Sequence, residues 1–132
     1  YDFNHDDLYF GHLESKAFLN QREITVSNYS EKSQSTLVTG IPAKTNYSDN
    51  EFKNMISDFQ QWKKVRMIGS AAMASIYVAA GKAETYKENG IFLWDIAAGA
   101  AIVNAAGGAT SITNIQVDYR VDAIFTNQHL AC

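Results

Sequence analysis

Leu93 to Gly108 reads LWDIAAGAAIVNAAGG. An aromatic residue, one carboxylate, a run of small apolar residues and a double glycine follow each other directly. Ile96, Ala97, Ala100, Ala101, Val103 and Asn104 fall where a helix buries at least one face, and Gly107 or Gly108 sits where a left-handed C-terminal cap is wanted. Asp95 stands at the front end and reads as an N-cap, accepting hydrogen bonds from the first free amides. A mid-helix glycine is otherwise destabilising, so Gly99 implies close contact with a neighbouring element. Trp94 reads as core packing.

The pattern upstream prepares for this helix. Thr36-Leu37-Val38-Thr39 is a strand stopped by Gly40-Ile41-Pro42, since proline ends ladder pairing. Ser48 with Glu51 forms a capping box, after which Phe52, Met55, Ile56 and Phe59 recur at i, i+3, i+4, i+7. That spacing predicts an amphipathic helix ending near Trp62. Lys64 to Ile68 is a strand, and Gly69-Ser70 opens a helix with Met73, Ile76, Tyr77 and Ala80 as its apolar stripe and Gly81 as its cap. Ala83 to Lys87 reads as a strand leading into a polar turn at Glu88-Asn89-Gly90. Short strands follow near Ala109 to Ser111 and Asp122 to Phe125. The alternation of strands and helices from Thr36 onwards predicts an α/β fold, a layered mixed sheet with helices packed on it.

Towards the N-terminus, Tyr1 to Gly11 reads as a hairpin around Asn4 to Asp7. A second strand pair is expected at Ala17 to Leu19 and Glu23 to Val26. Ser27 to Ser35 is polar and reads as a loop. It divides the chain into residues 1–35, strands belonging to one sheet, and residues 36–132, an α/β domain.

A chain of 132 residues with 46% hydrophobic and 19% charged residues is long enough to bury a core and ordinary for a globular domain. Net charge is −3 without a basic cluster, which leaves no electrostatic footprint for nucleic acid or an anionic membrane. No apolar run is long enough to span a bilayer. The single cysteine, Cys132, excludes an internal disulfide and suits a reducing compartment, so a cytoplasmic location is expected. The start at Tyr1, directly in strand-like sequence, suggests a fragment, a processed product or part of a longer chain. Spacing of His5, His12 and His129 fits no compact metal site.

Five stretches, in order, carry a resemblance to a known family. They are YDFNHDDLYFG, KAFLNQREITVS, LVTGIP, VRMIGSAAMASIYVAAGKAETY and LWDIAAGAAIVNAAGG. Together they resemble the inositol monophosphatase family, magnesium-dependent and lithium-sensitive sugar and inositol phosphatases. Gln21, Glu84 and Asn4 depart mildly from the family pattern. In that family a metal-binding glutamate and a D-P-(I/L)-D-G-T motif lie upstream of the point where this sequence begins, and no D-P-x-D-G occurs here. The resemblance is thus to the C-terminal half, expected to be inactive alone.

The resemblance implies roles for particular residues. Asp95 joins upstream carboxylates to bind catalytic Mg2+; within this chain it is an incomplete ligand, because magnesium takes several hard oxygen donors. Gly69, Ser70 and Ala71 contact substrate hydroxyls, although the same residues suit a plain strand-to-helix turn with an N-cap. Glu88 matches the glutamate that hydrogen-bonds a substrate hydroxyl, although it also reads as a solvated loop carboxylate. Arg66 is expected to hold the local carboxylates in place, and a surface salt bridge would look the same. No G-x-S-x-G elbow surrounds Ser70, so it is not read as a nucleophile.

The implied function is a Mg2+-dependent phosphomonoesterase acting on inositol phosphate or a related sugar or nucleotide phosphate, with homodimerisation implied by the family. The contrasting reading is a non-catalytic relative that folds or binds a partner. A dinucleotide-binding domain is disfavoured, since no G-x-G-x-x-G follows a strand.

Overall fold

The computed structural model describes residues 1–12, 14–43 and 45–130; Cys132 lies outside the described residues. Two sheets form. The smaller orders β1 (Tyr9–Phe10), β2 (Ala17–Leu19) and β3 (Arg22–Ile24) as an antiparallel meander. The expected Tyr1 to Gly11 hairpin is reduced to an isolated bridge between Asp2 and Asp7, because Tyr9 and Phe10 pair instead with Leu19 and Phe18.

A 3-10 turn at Lys32–Gln34 leads into the larger sheet. Its strands are β4 (Thr36–Thr39), β5 (Lys64–Met67), β6 (Thr85–Phe92), β7 (Ala109–Thr113) and β8 (Arg120–Thr126), ordered β5-β4-β6-β8-β7. The β4 strand pairs in parallel with both β5 and β6, whereas β6–β8 and β7–β8 are antiparallel. Helices α1 (Asp49–Phe59), α2 (Ala71–Ala79) and α3 (Leu93–Ala105) make the connections. The chain leaves β4 towards β5 and then crosses back over it to reach β6. This places a topological switch at the carboxyl end of β4, where open α/β sheets form their ligand crevices.

Successive residues of β4 point to opposite faces and enter different cores. Val38 joins Tyr86, Ala123 and Phe125 of the large sheet, the helices α2 and α3, and Tyr9, Ala17 and Ile24 of the small sheet in one hydrophobic cluster. The two helices are therefore sandwiched between the sheets, and this decides their burial. In α2 the buried residues are Ala71, Ala74, Ser75, Ile76, Val78 and Ala79, nearly all round, rather than the single stripe the sequence suggests. The α3 helix buries Ile96, Gly99, Ala100, Ile102 and Val103, while Ala97 and Asn104 are exposed. Gly107 closes it at φ 87°.

Leu37 faces the other way, into a small cluster with Trp62, Leu130, Phe59 and Val65. Here α1 is held only at its end. It has no buried residue; of the expected apolar face, Phe52 and Ile56 are exposed while Met55 and Phe59 are half-buried. Its start follows the sequence closely: the Ser48 hydroxyl accepts from the Glu51 amide and the Glu51 carboxylate accepts from the Ser48 amide. With so little tertiary packing, the cap carries an unusual share of the helix's stability. Ser48→Ala is expected to cost about 1 kcal/mol, measured by chemical denaturation.

Candidate functional site

Glu88 belongs to β6 rather than to a loop, and is buried. The strand runs on because the polar triplet forms a bulge instead of a turn. The pairing with β8 shifts register between Asn89 and Ile91, and Gly90 takes φ 73°, which a residue without Cβ adopts without strain. Asp122 of β8 secures the bulge, accepting the Gly90 amide on Oδ1 at 3.0 Å and the Asn114 side-chain amide on Oδ2 at 2.5 Å. The strand then passes into α3 at Phe92 with no intervening loop.

That continuity changes the role of Asp95. The N-cap of α3 is Phe92, without a side-chain cap, and Asp95 is the third helical residue. Its carboxylate is exposed and accepts no side-chain cap hydrogen bond. The positive end of the helix dipole still favours its charge. The cap expected in the sequence is thus absent, and among the described residues no hydrogen bond or ion pair occupies the carboxylate.

The Asp95 carboxylate lines a cleft of about 670 Å3 together with Glu88, Gly69, Ser70 and Ala71, so five of the six residues singled out in the sequence converge here. Gly69, at φ 77°, turns β5 into α2. The Ser70 hydroxyl caps α2 by accepting from the Met73 amide at 3.3 Å. Ser70 and Ala72 are exposed at the mouth. Arg66 is the one left out. It is exposed, and its guanidinium donates to the Val65 carbonyl at 3.1 Å; no ion pair from it to a carboxylate occurs among the described residues.

Other lining residues escaped the sequence reading. Thr39 to Ala43 form one wall, and Trp94 forms part of the rim. Trp94 is 62% exposed rather than core, stacked on Phe92 with ring centroids 4.6 Å apart. The Gly-Ile-Pro stop after β4 was the available signal for the wall, since it marks the carboxyl end of a central strand. For Trp94 there was none, because an aromatic beside a helix start looks the same buried or exposed.

Burial pushes the Glu88 carboxyl above its ordinary range, the hydrogen bond from Tyr86 opposes this, and the charge of Asp95 adds to the rise. Burial and the neighbouring Glu88 carboxylate push the Tyr86 phenol far above its usual value. A folded-state carboxyl with a raised pKa costs stability when ionised. Below the ordinary carboxyl pKa of 4.5 Glu88 is protonated in both states and contributes nothing. As pH rises, the unfolded chain releases the proton first, so stability is lost until the raised folded-state pKa is passed. Glu88→Gln removes the charge and keeps an acceptor for Tyr86. In metal-free buffer the variant's unfolding temperature is expected to exceed that of wild type by a margin that is absent below about pH 4 and grows with pH. A margin independent of pH would contradict this origin.

As a metal centre, the site is partial. Among the described residues no group of three or more His, Cys, Asp or Glu side chains could hold an ion. Asp95 nevertheless offers the hard oxygen that magnesium prefers, and it faces a roomy cleft. The residues fit one ligand's share of a magnesium shell.

Fold and cleft together define an α/β protein with a cleft at the carboxyl ends of strands in a mixed sheet and an exposed carboxylate in the first turn of the adjoining helix. Residues 1–129 match the inositol monophosphatase family, and the chain belongs to that family. Among curated relatives, the Nus factor SuhB of Xylella fastidiosa is 36% identical over 104 residues, covering 78% of this chain and 38% of that protein. An inositol-1-monophosphatase of Synechocystis is 41% identical over 96 residues, covering 72% of this chain and 33% of that protein. The solved inositol monophosphatase of Anabaena superposes with a TM-score of 0.87 at 34% identity, over 98% of this chain and 54% of that one. The chain spans well under half the length of the curated relatives it matches.

Proposed function

We propose that this chain supplies the substrate-side half of a magnesium-dependent phosphomonoesterase acting on inositol monophosphate or a related sugar or nucleotide phosphate. The observation that carries the reading is the convergence of Asp95, Glu88 and the Gly69-Ser70-Ala71 turn on one cleft in a chain of the inositol monophosphatase family. Asp95 would provide one magnesium ligand, the remaining acids coming from outside these residues. When bound, the metal lowers the pKa of an attacking water and neutralises charge on the transferring phosphoryl group. The chain's own part is to orient the ester: Glu88 accepts a substrate hydroxyl, and the turn before α2 offers small side chains and free amides to the ring. Arg66 is assigned the supporting of nearby carboxylates once the remaining acids are present.

The small sheet is read as belonging with strands of an N-terminal domain, residues 36–132 being the C-terminal α/β domain. A cytoplasmic homodimer is the expected setting. No helix among the described residues is long and apolar enough to cross a membrane.

A second reading, a binding role without hydrolysis, is favoured by relatives named Nus factor SuhB and by the uncovered Phe52 and Ile56 on α1. One experiment separates the two. The gene product that contains this chain is assayed against a panel of phosphate monoesters with and without magnesium and lithium. Magnesium-dependent, lithium-inhibited release of phosphate supports the enzyme, and no release from any ester supports the binding role.

A further inference from the structure

Glu88 is held from two sides by residues with no assigned part in the site. Tyr86 lies two positions earlier on β6, so both side chains leave the same face of the strand. The Tyr86 ring is fully buried, edge-on to Phe125 with centroids 5.5 Å apart. Its hydroxyl donates to Glu88 Oε2 at 2.9 Å, and Glu88 is its partner among the described residues. On the opposite side Gly40 lets the β4 backbone meet the carboxylate directly: a Cβ there would lie 2.6–2.7 Å from Oε2, Cδ and Oε1. Among the described residues no donor reaches Glu88 Oε1, and Glu88 lines the cleft. Carboxylate torsions are broad and two-fold, so an untethered glutamate would present its oxygens in many orientations.

We propose that Tyr86 is a positioning residue that fixes the Glu88 carboxylate with Oε1 offered to a ring hydroxyl, and that this tether sets a preference for polyol phosphates over simple phosphate esters. The inference rests on the reading of Glu88 as a hydroxyl acceptor. A polyol donates to the fixed oxygen and a plain aryl ester cannot, so the tether matters for one substrate class and not the other. Tyr47 and Asp95 are the other titratable groups that interact with Glu88 among the described residues; neither donates a hydrogen bond to it there.

The test is Tyr86→Phe in the gene product that contains this chain, assayed on inositol monophosphate and on p-nitrophenyl phosphate. A hydrogen bond to a charged acceptor is at stake, so kcat/KM for inositol monophosphate is expected to fall about tenfold, chiefly through KM, with less than about a twofold change on the aryl ester. Gly40→Ala displaces the same carboxylate from the other side and should give the same ordering of losses. Equal losses on both substrates, or no loss on either, overturn the proposal. If the wild type hydrolyses neither ester, the phosphatase reading has failed by itself, and the crystal structure of Tyr86→Phe judges the tether. A carboxylate turned from its wild-type position upholds the tether, and an unmoved one overturns it.

Discussion

Asp95→Asn is expected to leave the protein folded and, under the phosphatase function proposed above, to abolish most of the metal-dependent hydrolysis. Asn and Asp are close in size, and the native side chain caps nothing and is exposed, so the folded state loses only a favourable charge near a helix N-terminus, worth about 0.3–1 kcal/mol. The metal loses much more, because the amide replaces an anionic oxygen ligand with a neutral one. Several kcal/mol of transition-state stabilisation depend on such charge, and about 3 kcal/mol corresponds to a hundredfold in rate. The check is a magnesium titration of kcat on the gene product, with thermal unfolding of the same sample. A raised magnesium requirement and an almost unchanged unfolding temperature fit the ligand role. Full activity at ordinary magnesium would remove Asp95 from the metal shell.

Gly99→Ala is expected to have the largest effect on stability, at a position that touches no ligand. In an exposed helix this change would stabilise by about 0.8–1.0 kcal/mol. Here the new Cβ would lie 2.4 Å from Ser75 Cβ and 2.8 Å from Ser75 Oγ. Ser75 cannot give way easily, since it is fully buried and its hydroxyl donates to the Ala71 carbonyl at 2.7 Å. The helices α2 and α3 would have to separate between two sheets, and overpacking of that kind costs about 1–3 kcal/mol. The expected result is a lower denaturation midpoint with an unchanged denaturant slope. Pairing the change with Ser75→Gly should recover part of the loss, a coupling a double-mutant cycle would show. Because α3 carries Asp95 and α2 follows Ser70, a shifted helix pair should also weaken the site.

What could be read along the chain was local. Thr36–Thr39 announced a strand by its apolar residues and the proline that follows, and Ser48 with Glu51 announced a helix start; both lie where expected. Gly99 signalled close packing, and Ser75 supplies the partner. The misreadings share one cause. Glu88-Asn89-Gly90 has turn composition, but Asp122, 32 positions from Gly90, pairs with its amide and keeps the strand going. Once β6 reaches Phe92 without a break, Asp95 moves from the cap into the first turn.

The sequence alone determined the order of strands and helices, the family likeness and the identities of the chemically capable residues, since caps, proline stops and apolar runs act over a few positions. Only the tertiary structure decided that α2 and α3 lie between two sheets, that α2 is buried almost all round while α3 keeps an exposed side, that Glu88 accepts a hydrogen bond from Tyr86, and that Asp95 does not cap its helix and lines one cleft with Ser70. Those outcomes depend on strand crossings and on contacts between residues distant in sequence, which no local pattern encodes.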